Sequence, residues 1–349
     1  MSGNRPEHPE ISVLMAVRDG DAFLPETLAS LQAQTERNFE MIVVDDGSRD
    51  GTPQILHAAA AHDARIRVLR NDAGIGVTES LNRGLAACRA PLVARADADD
   101  LHHPERLAAE LAFMRATPDV NVVSCAFGRI NASGQPLAKT TSLVTGSEMI
   151  RFEMLLSNCL LHPGVMFRAD AVRAAGGYDP AFPNAQDSEL WARMRMTSRM
   201  ENLPQELVRY RVHPRSVTRR RGSEGERISL KVPARELSAY LDVNFTPESV
   251  RPMVRLYQGH EALVFEDVIA GERDLRSLLQ VARRRESPAI VSYLRQRTAN
   301  ALLRQAEFSG STSLARARHY TAASLSWQMR RFVLVRLASM YLGKRRTTA

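Results

Sequence analysis

Pro91-Leu92-Val93-Ala94-Arg95-Ala96-Asp97-Ala98-Asp99-Asp100 decides how this chain is read. An apolar run of strand length gives way to three carboxylates within four positions, and Pro104-Glu105-Arg106-Leu107 signals a helix just beyond. Like charges packed so tightly repel one another, and a fold keeps them together mainly where a cation neutralises them. Their oxygens are hard ligands, better suited to Mg²⁺ or Mn²⁺ than to zinc. Alone, a D-x-D-D stretch also describes a solvated acidic turn, so the surrounding pattern has to decide.

Upstream, strand signals over 11–17, 39–44, 66–69 and 92–96 alternate with helical spacing over 24–31, 53–61 and 77–87. Leu24, Leu28 and Leu31 share one helical face, and Pro53 stands at a tolerated first-turn position. This alternation predicts an α/β fold, a mainly parallel Rossmann-like sheet with helices on both faces. Such sheets bind ligands beyond the carboxyl ends of their strands. The polar clusters after Val17, Val44 and Ala96 all fall there, which predicts one crevice. From about 120 the pattern loosens: strands are expected over 122–127 and 165–167, and helices over 147–156 and 187–196. The basic stretch 214–227 reads as a loop, and the remainder as mostly helical.

The chain has 349 residues and a formal net charge of +8, with 44% hydrophobic residues. A basic balance favours phosphates, nucleic acid or an anionic membrane surface as partners. No zinc finger, helix-turn-helix or aromatic RNA-binding signature accompanies the charge, which argues against nucleic acid. Cys88, Cys125 and Cys159 are isolated and read as buried thiols of a reducing compartment. The first ten residues lack the apolar core of a signal peptide, and no apolar run approaches the roughly 20 residues of a spanning helix. The expectation is a cytoplasmic protein, soluble or peripheral at the membrane.

Asp45-Asp46-Gly47-Ser48 ends the second strand. A carboxylate there can accept hydrogen bonds from a ribose hydroxyl or a base N–H, although the same four residues also make a good turn. Asn71-Asp72-Ala73-Gly74-Ile75-Gly76 has small residues that let backbone approach a ligand, without the full dinucleotide fingerprint.

Taken in order, these pieces resemble glycosyltransferase family 2, of the GT-A fold. The resemblance rests on Met15-Ala16-Val17-Arg18-Asp19-Gly20, Ser30-Leu31-Gln32-Ala33-Gln34-Thr35, Val43-Val44-Asp45-Asp46-Gly47-Ser48 and Asp50-Gly51-Thr52. It continues through Asn82-Arg83-Gly84-Leu85, Asp97-Ala98-Asp99-Asp100, His162-Pro163-Gly164-Val165 and Gly176-Gly177-Tyr178-Asp179. Gln186-Asp187-Ser188-Glu189 and Tyr210-Arg211-Val212-His213 complete it, over about 11–216. It implies transfer of a sugar, with inversion, from a nucleotide-diphosphate donor to an acceptor hydroxyl, assisted by Mn²⁺ or Mg²⁺.

By the same resemblance Asp99 is the metal ligand, and Asp97 faces the ribose or the water shell of the metal. Asp45 binds the nucleoside, flanked by backbone at Ala16 and Val17, with Asn71 assisting. Inversion in one displacement needs a base opposite the leaving group. Asp187 matches the aspartate that serves the family as that base, though a carboxylate at a helix start is also favourable by itself. His213 matches a histidine that is an extra metal ligand in some relatives, and Arg211, Arg215 or the arginines at 219–221 are candidates to meet the diphosphate. The chain departs from the family at Arg18, Asp19 and Ala16, where relatives commonly carry Tyr, Asn and Pro. The base is therefore left open, with uridine the default and guanosine or thymidine the alternatives.

Residues 322–342 mix apolar side chains with arginines, as a helix does that either lies on an anionic membrane or packs on the core. The expected organisation is an N-terminal tail (1–10), a GT-A domain (11–216), a basic loop or linker (217–230) and a helical C-terminal region (231–349). The function expected is a glycosyltransferase acting on a glycan or lipid-linked acceptor in bacterial surface polysaccharide or glycolipid assembly. Its rivals are a non-catalytic sugar-nucleotide binder and a sugar-nucleotide nucleotidyltransferase. The second would need a Gly-rich, basic phosphate loop that 15–21 does not supply.

Overall fold

The structure, a computed structural model, describes residues 7–137, 143–214, 216, 222–259 and 261–309. The described residues fall into two compact units, divided after Met154 and after Ser229, with Leu155–Ser157 assigned to the second.

The first unit is built on β1 (Ile11–Val17), α1 (Leu24–Gln32), β2 (Phe39–Asp45), α2 (Thr52–His62), β3 (Ile66–Arg70), α3 (Val77–Ala87) and β4 (Leu92–Arg95). β5 (Leu101–His102), α4 (Arg106–Ala116), β6 (Val120–Ile130) and α5 (Ser147–Glu153) follow. Then come a 3-10 turn at His162–Gly164, β7 (Met166–Arg168), α6 (Ala169–Ala174), α7 (Gln186–Met194) and β8 (Arg199–Arg211). The eight strands form one sheet in the order β3-β2-β1-β4-β7-β6-β8-β5. β3, β2, β1 and β4 are mutually parallel, as expected, and β6 runs parallel to β8. β7 runs antiparallel to both of its neighbours, and β5 runs antiparallel to β8.

Alternation along the strands sorts the core into two layers. Ile11, Val13, Met15 and Val17 pack with Met41 and Val43 against Leu24, Leu28 and Leu31 of α1 and Leu107 and Leu111 of α4. Leu14, Ile42 and Val93 face the other way, against Leu81 and Leu85 of α3 and Trp191 of α7. Because both faces are covered, the parallel strands read as unbroken apolar runs.

Two polar devices lock this half. Ser12 donates to Glu40 at 2.8 Å, and the Arg89 amide and Nε each donate to the same carboxylate at 2.8 Å. On the opposite side Arg106 is fully buried between Glu110, His102 and the Val165 carbonyl. Cys88 and Cys125 are buried and unpaired, and burial pushes both thiols up to about 12, so they are packing residues and not nucleophiles.

β8 contradicts the loosened pattern expected after 120. Its pairing with β6 jumps from Cys125↔Leu203 to Ala126↔Glu206, so Pro204 and Gln205 bulge out of the ladder. A bulge at a proline, which lacks an N–H, hides a thirteen-residue strand from periodicity. The expected linker over 217–230 is also corrected: from Gly222 onward it is the helix α8 (Gly222–Leu241), steadied by an Arg227–Glu224 ion pair one turn apart.

The second unit takes the later part of α8 together with α9 (Pro247–Gln258), α10 (Phe265–Arg285) and α11 (Pro288–Ser309). Thr246 caps α9 in a reciprocal box with Ser249. Gly271 lets α10 approach α9 closely: a Cβ there would lie 2.5 Å from the Pro252 carbonyl oxygen. No helix among the described residues is long and apolar enough to cross a membrane. The amphipathic stretch 322–342 lies outside the described residues.

Candidate active site

The carboxyl ends of β1, β2, β3 and β4 meet at one edge of the sheet because the strands are parallel and in register, with Val17 opposite Asp45 and Leu14 opposite Arg95. Backbone bonds continue the stitching past the strands: Asp46 N donates to Val17 O (2.8 Å), Asn71 N to Asp45 O (2.9 Å) and Ala96 N to Leu14 O (3.0 Å). Ala16, Val17, Asp45, Asn71 and the acidic motif therefore come to one edge, as the motif order predicts.

Asp45 is buried, accepts from the Ser48 amide at 2.9 Å, and has Arg70 Nε 3.7 Å from its other oxygen. Asp46, given no role of its own from the sequence, organises the loop opposite. Its carboxylate accepts from Asn71 Nδ2 (2.7 Å), Ile75 N (2.8 Å) and Gly76 N (2.9 Å). Burial alone would raise its pKa, but these hydrogen bonds and one from Ser80 outweigh it and hold the carboxylate below its ordinary range. Asn71 gives its second amide proton to Ser80 (2.9 Å) and accepts from Arg83. Its amide protons thus tie the turn after β2 to α3.

The acidic motif leaves the sheet at Arg95, whose side chain is buried and donates to Asp97. Asp97 and Asp99 are half-buried, whereas Asp100 is inaccessible and accepts from the Arg211 amide at 2.7 Å. Burial and the charge of Asp97 raise the proton affinity of Asp99 against the pull of His213; burial, Asp99 and Asp97 raise that of Asp100 much further. Asp100 is thereby a structural acid and not an exposed ligand.

His213 Nε2 lies 2.9 Å from Asp99 Oδ2, and its ring packs 4.7 Å from the ring of Phe23. The two residues expected to be metal ligands thus lie within hydrogen-bond distance of each other. Among the described residues no three His, Cys, Asp or Glu side chains close on a common point. Part-exposed Asp99 and buried His213 offer one carboxylate oxygen and one imidazole nitrogen, a donor set whose chemistry fits Mn²⁺.

Arg211 corrects the expectation of a mobile, phosphate-seeking arginine. Its side chain is 1% exposed and bound to Asp99 O, Ala132 O and Glu26. Arg215 and the arginines at 219–221 lie outside the described residues.

Asp187 occupies the first turn of α7, half-buried, and accepts from Asn158 Nδ2 at 2.8 Å. Behind it, Tyr178 hydrogen-bonds His162 at 3.0 Å. Burial raises the Tyr178 pKa, and the charges of Asp187 and Asp97 both add to the rise, so one hydroxyl feels both carboxylates. Burial and Arg95 keep His162 neutral. Glu189, two residues after Asp187, is buried against Arg193, which in turn binds the carbonyls of Ala175 and Gly177.

Residues 12–176 match the family described as Glycosyl transferase family 2. The chain is a glycosyltransferase with a family 2, GT-A domain. The glycosyltransferase is 28% identical over 211 residues to the O-antigen biosynthesis glycosyltransferase WbnJ of Escherichia coli, covering 59% of this chain and 81% of that one. Its fold is similar to S. aureus TarS 1-349 in complex with UDP-GlcNAc, with a TM-score of 0.56, 16% identity and coverage of 92% and 93%. It is also similar to the mannosyltransferase PcManGT of Pyrobaculum calidifontis in complex with GDP-Man and Mn²⁺, with a TM-score of 0.53, 17% identity and coverage of 93% and 88%.

Proposed function

We propose that this glycosyltransferase is inverting and metal-dependent, and moves a hexosyl or N-acetylhexosaminyl group from a nucleotide-diphosphate donor, first of all a UDP-sugar, to an acceptor hydroxyl. The observation that carries the reading is the Asp99–His213 pair, 2.9 Å apart at the sheet edge where Asp45 also ends its strand. Asp45 holds the base, backbone at Ala16 and Val17 flanks it, and Asp97 meets the ribose. Asn71 supports these contacts through Asp46. Asp99 and His213 hold Mn²⁺, or Mg²⁺ less well because imidazole suits softer ions. The metal, when bound, stabilises charge on the departing diphosphate.

Asp187 is the base. It takes the proton of the acceptor hydroxyl as that oxygen bonds to the anomeric carbon and the carbon–diphosphate bond breaks on the other face. Asn158 keeps the carboxylate oriented for this transfer. The catalytic domain is 11–216, and the acceptor is a glycan or lipid-linked sugar in polysaccharide or glycolipid assembly, a role supported by the naming of WbnJ for O-antigen biosynthesis. The protein works in the cytoplasm, with residues 322–342 touching the membrane surface.

Calorimetry with UDP, GDP and dTDP, each with and without Mn²⁺, tests the reading: one nucleotide should bind, and more tightly with metal. Absence of binding to all three rejects it. Flotation with anionic liposomes, before and after removal of residues 322–349, tests the membrane contact; equal recovery rejects that part.

A further inference from the structure

We propose that Arg211 is a positioning residue that fixes the geometry of the Asp99–His213 pair, an inference that rests on the metal-assisted reading above. Neither partner is held by regular secondary structure. Asp99 lies in the turn after β4, beside two other carboxylates that repel it, and His213 lies beyond the end of β8. A pair of ligands on two such segments needs a tie between them.

Arg211, the last residue of β8, supplies it in four directions. Nε donates to the Asp99 carbonyl at 2.7 Å and Nη1 to the Ala132 carbonyl at 3.0 Å. Nη2 donates to Glu26 Oε2 of α1 at 2.6 Å, and the backbone amide donates to Asp100 Oδ1 at 2.7 Å. The guanidinium also lies 4.7 Å from the centroid of Phe23, the ring that His213 packs against at the same distance.

One side chain therefore grips the Asp99 main chain directly. It reaches His213 twice, through two residues of chain and through the shared Phe23 surface. A planar fork with five donors can serve three acceptors at once, whereas an ammonium on a flexible stem cannot hold the same three directions. Side chains that orient metal ligands typically change metal affinity when removed, without touching the metal.

The test uses the 349-residue chain, with Arg211→Lys, Arg211→Met and Glu26→Gln beside wild type and Asp99→Asn. Mn²⁺ affinity is read by electron paramagnetic resonance, UDP affinity by calorimetry without metal, and turnover against Mn²⁺ concentration. Thermal unfolding without metal supplies the control for folding. The Arg211 variants should weaken Mn²⁺ about 10-fold or more, and Glu26→Gln less, as expected for an outer residue. Metal-free UDP affinity should stay unchanged, and turnover should recover toward wild type at saturating Mn²⁺, with Arg211→Lys recovering further than Arg211→Met.

Wild-type Mn²⁺ affinity in a folded Arg211 variant overturns the proposal alone. If Arg211→Met does not fold, Arg211→Lys decides by the same criterion, and if neither folds, wild-type Mn²⁺ affinity in Glu26→Gln overturns it. Failure of the wild-type chain to bind Mn²⁺, with Asp99→Asn indistinguishable from it, overturns the metal-assisted reading and this proposal together.

Discussion

Asn158 Nδ2 donates to Asp187 Oδ2 at 2.8 Å, joining the segment before the 3-10 turn to the first turn of α7. One oxygen of the carboxylate is thus oriented by a fixed donor. Asp187→Asn should lower kcat by about 10² to 10⁴, the usual worth of a general base, while UDP and Mn²⁺ affinity stay within error. Asn158→Ala should lower kcat less and leave the donor KM nearly alone. Turnover near wild type in Asp187→Asn would assign the base elsewhere.

Gly47 sets the approach of the turn after β2 to the loop after β3. Its φ is +67°, and a Cβ would sit 2.8 Å from both Ala73 C and Gly74 N, which are backbone atoms that cannot swing aside. Gly47→Ala should cost about 1–3 kcal/mol through strain and displacement of the loop. Because Asp46 ties the same loop through Asn71, Ile75 and Gly76, the donor KM should rise more than kcat falls. Chemical denaturation and steady-state kinetics check the two parts separately, and an unchanged KM would detach the loop from donor binding.

The parallel half of the fold was legible because strands covered on both faces carry continuous apolar runs, and the carboxylates at their ends stand out against them. β5 and β8 were not. β5 has two residues, and β8 bulges at Pro204 and mixes buried Met200, Leu203 and Val208 with charged neighbours. At the site, Asp45, Asp99 and His213 were singled out by their match to the motifs of the family. Arg211 stood out for another role, at the diphosphate, and its buried tie to Asp99 and Glu26 was not legible. Nor was the role of Asp46, because a carboxylate that ties a loop has the same spelling as a turn. The contact of Arg211 with Glu26 also spans 185 positions. Asn71 was expected from the resemblance to assist at the nucleoside; what the sequence did not show is that its amide donates to Asp46 and Ser80.

The buffer-facing Arg89 and buried Glu40 make a different kind of prediction. Burial would raise the Glu40 pKa, but the Arg89 amide, Ser12 and the Arg89 guanidinium outweigh it and hold the carboxylate below its ordinary value. A carboxylate depressed on folding stabilises above its unfolded pKa of about 4.5, and that contribution is lost as pH falls through the folded value. Glu40→Gln should therefore destabilise at pH 7 by about 1–3 kcal/mol, because its hydrogen bonds to Arg89 and Ser12 lose their charge assistance, and less at pH 3. Urea titrations at the two pH values check it; an equal loss at both would contradict an ionised Glu40.

Glu110 should behave in the opposite sense. It is fully buried on α4, and burial pushes its pKa up to about 7 although Arg106 Nε stands 3.1 Å away and pulls it down. Between its unfolded value of 4.5 and about 7 the folded protein holds a proton that the unfolded chain releases. Stability therefore falls as pH rises through that window, by at most about 3 kcal/mol, and is flat above it. Glu110→Gln keeps an acceptor for Arg106 and cannot titrate. The difference in unfolding free energy between variant and wild type should rise in favour of the variant from pH 5 to pH 7.5. A difference that is constant with pH would mean that Glu110 is already ionised in the fold at pH 5, with the Arg106 guanidinium outweighing its burial.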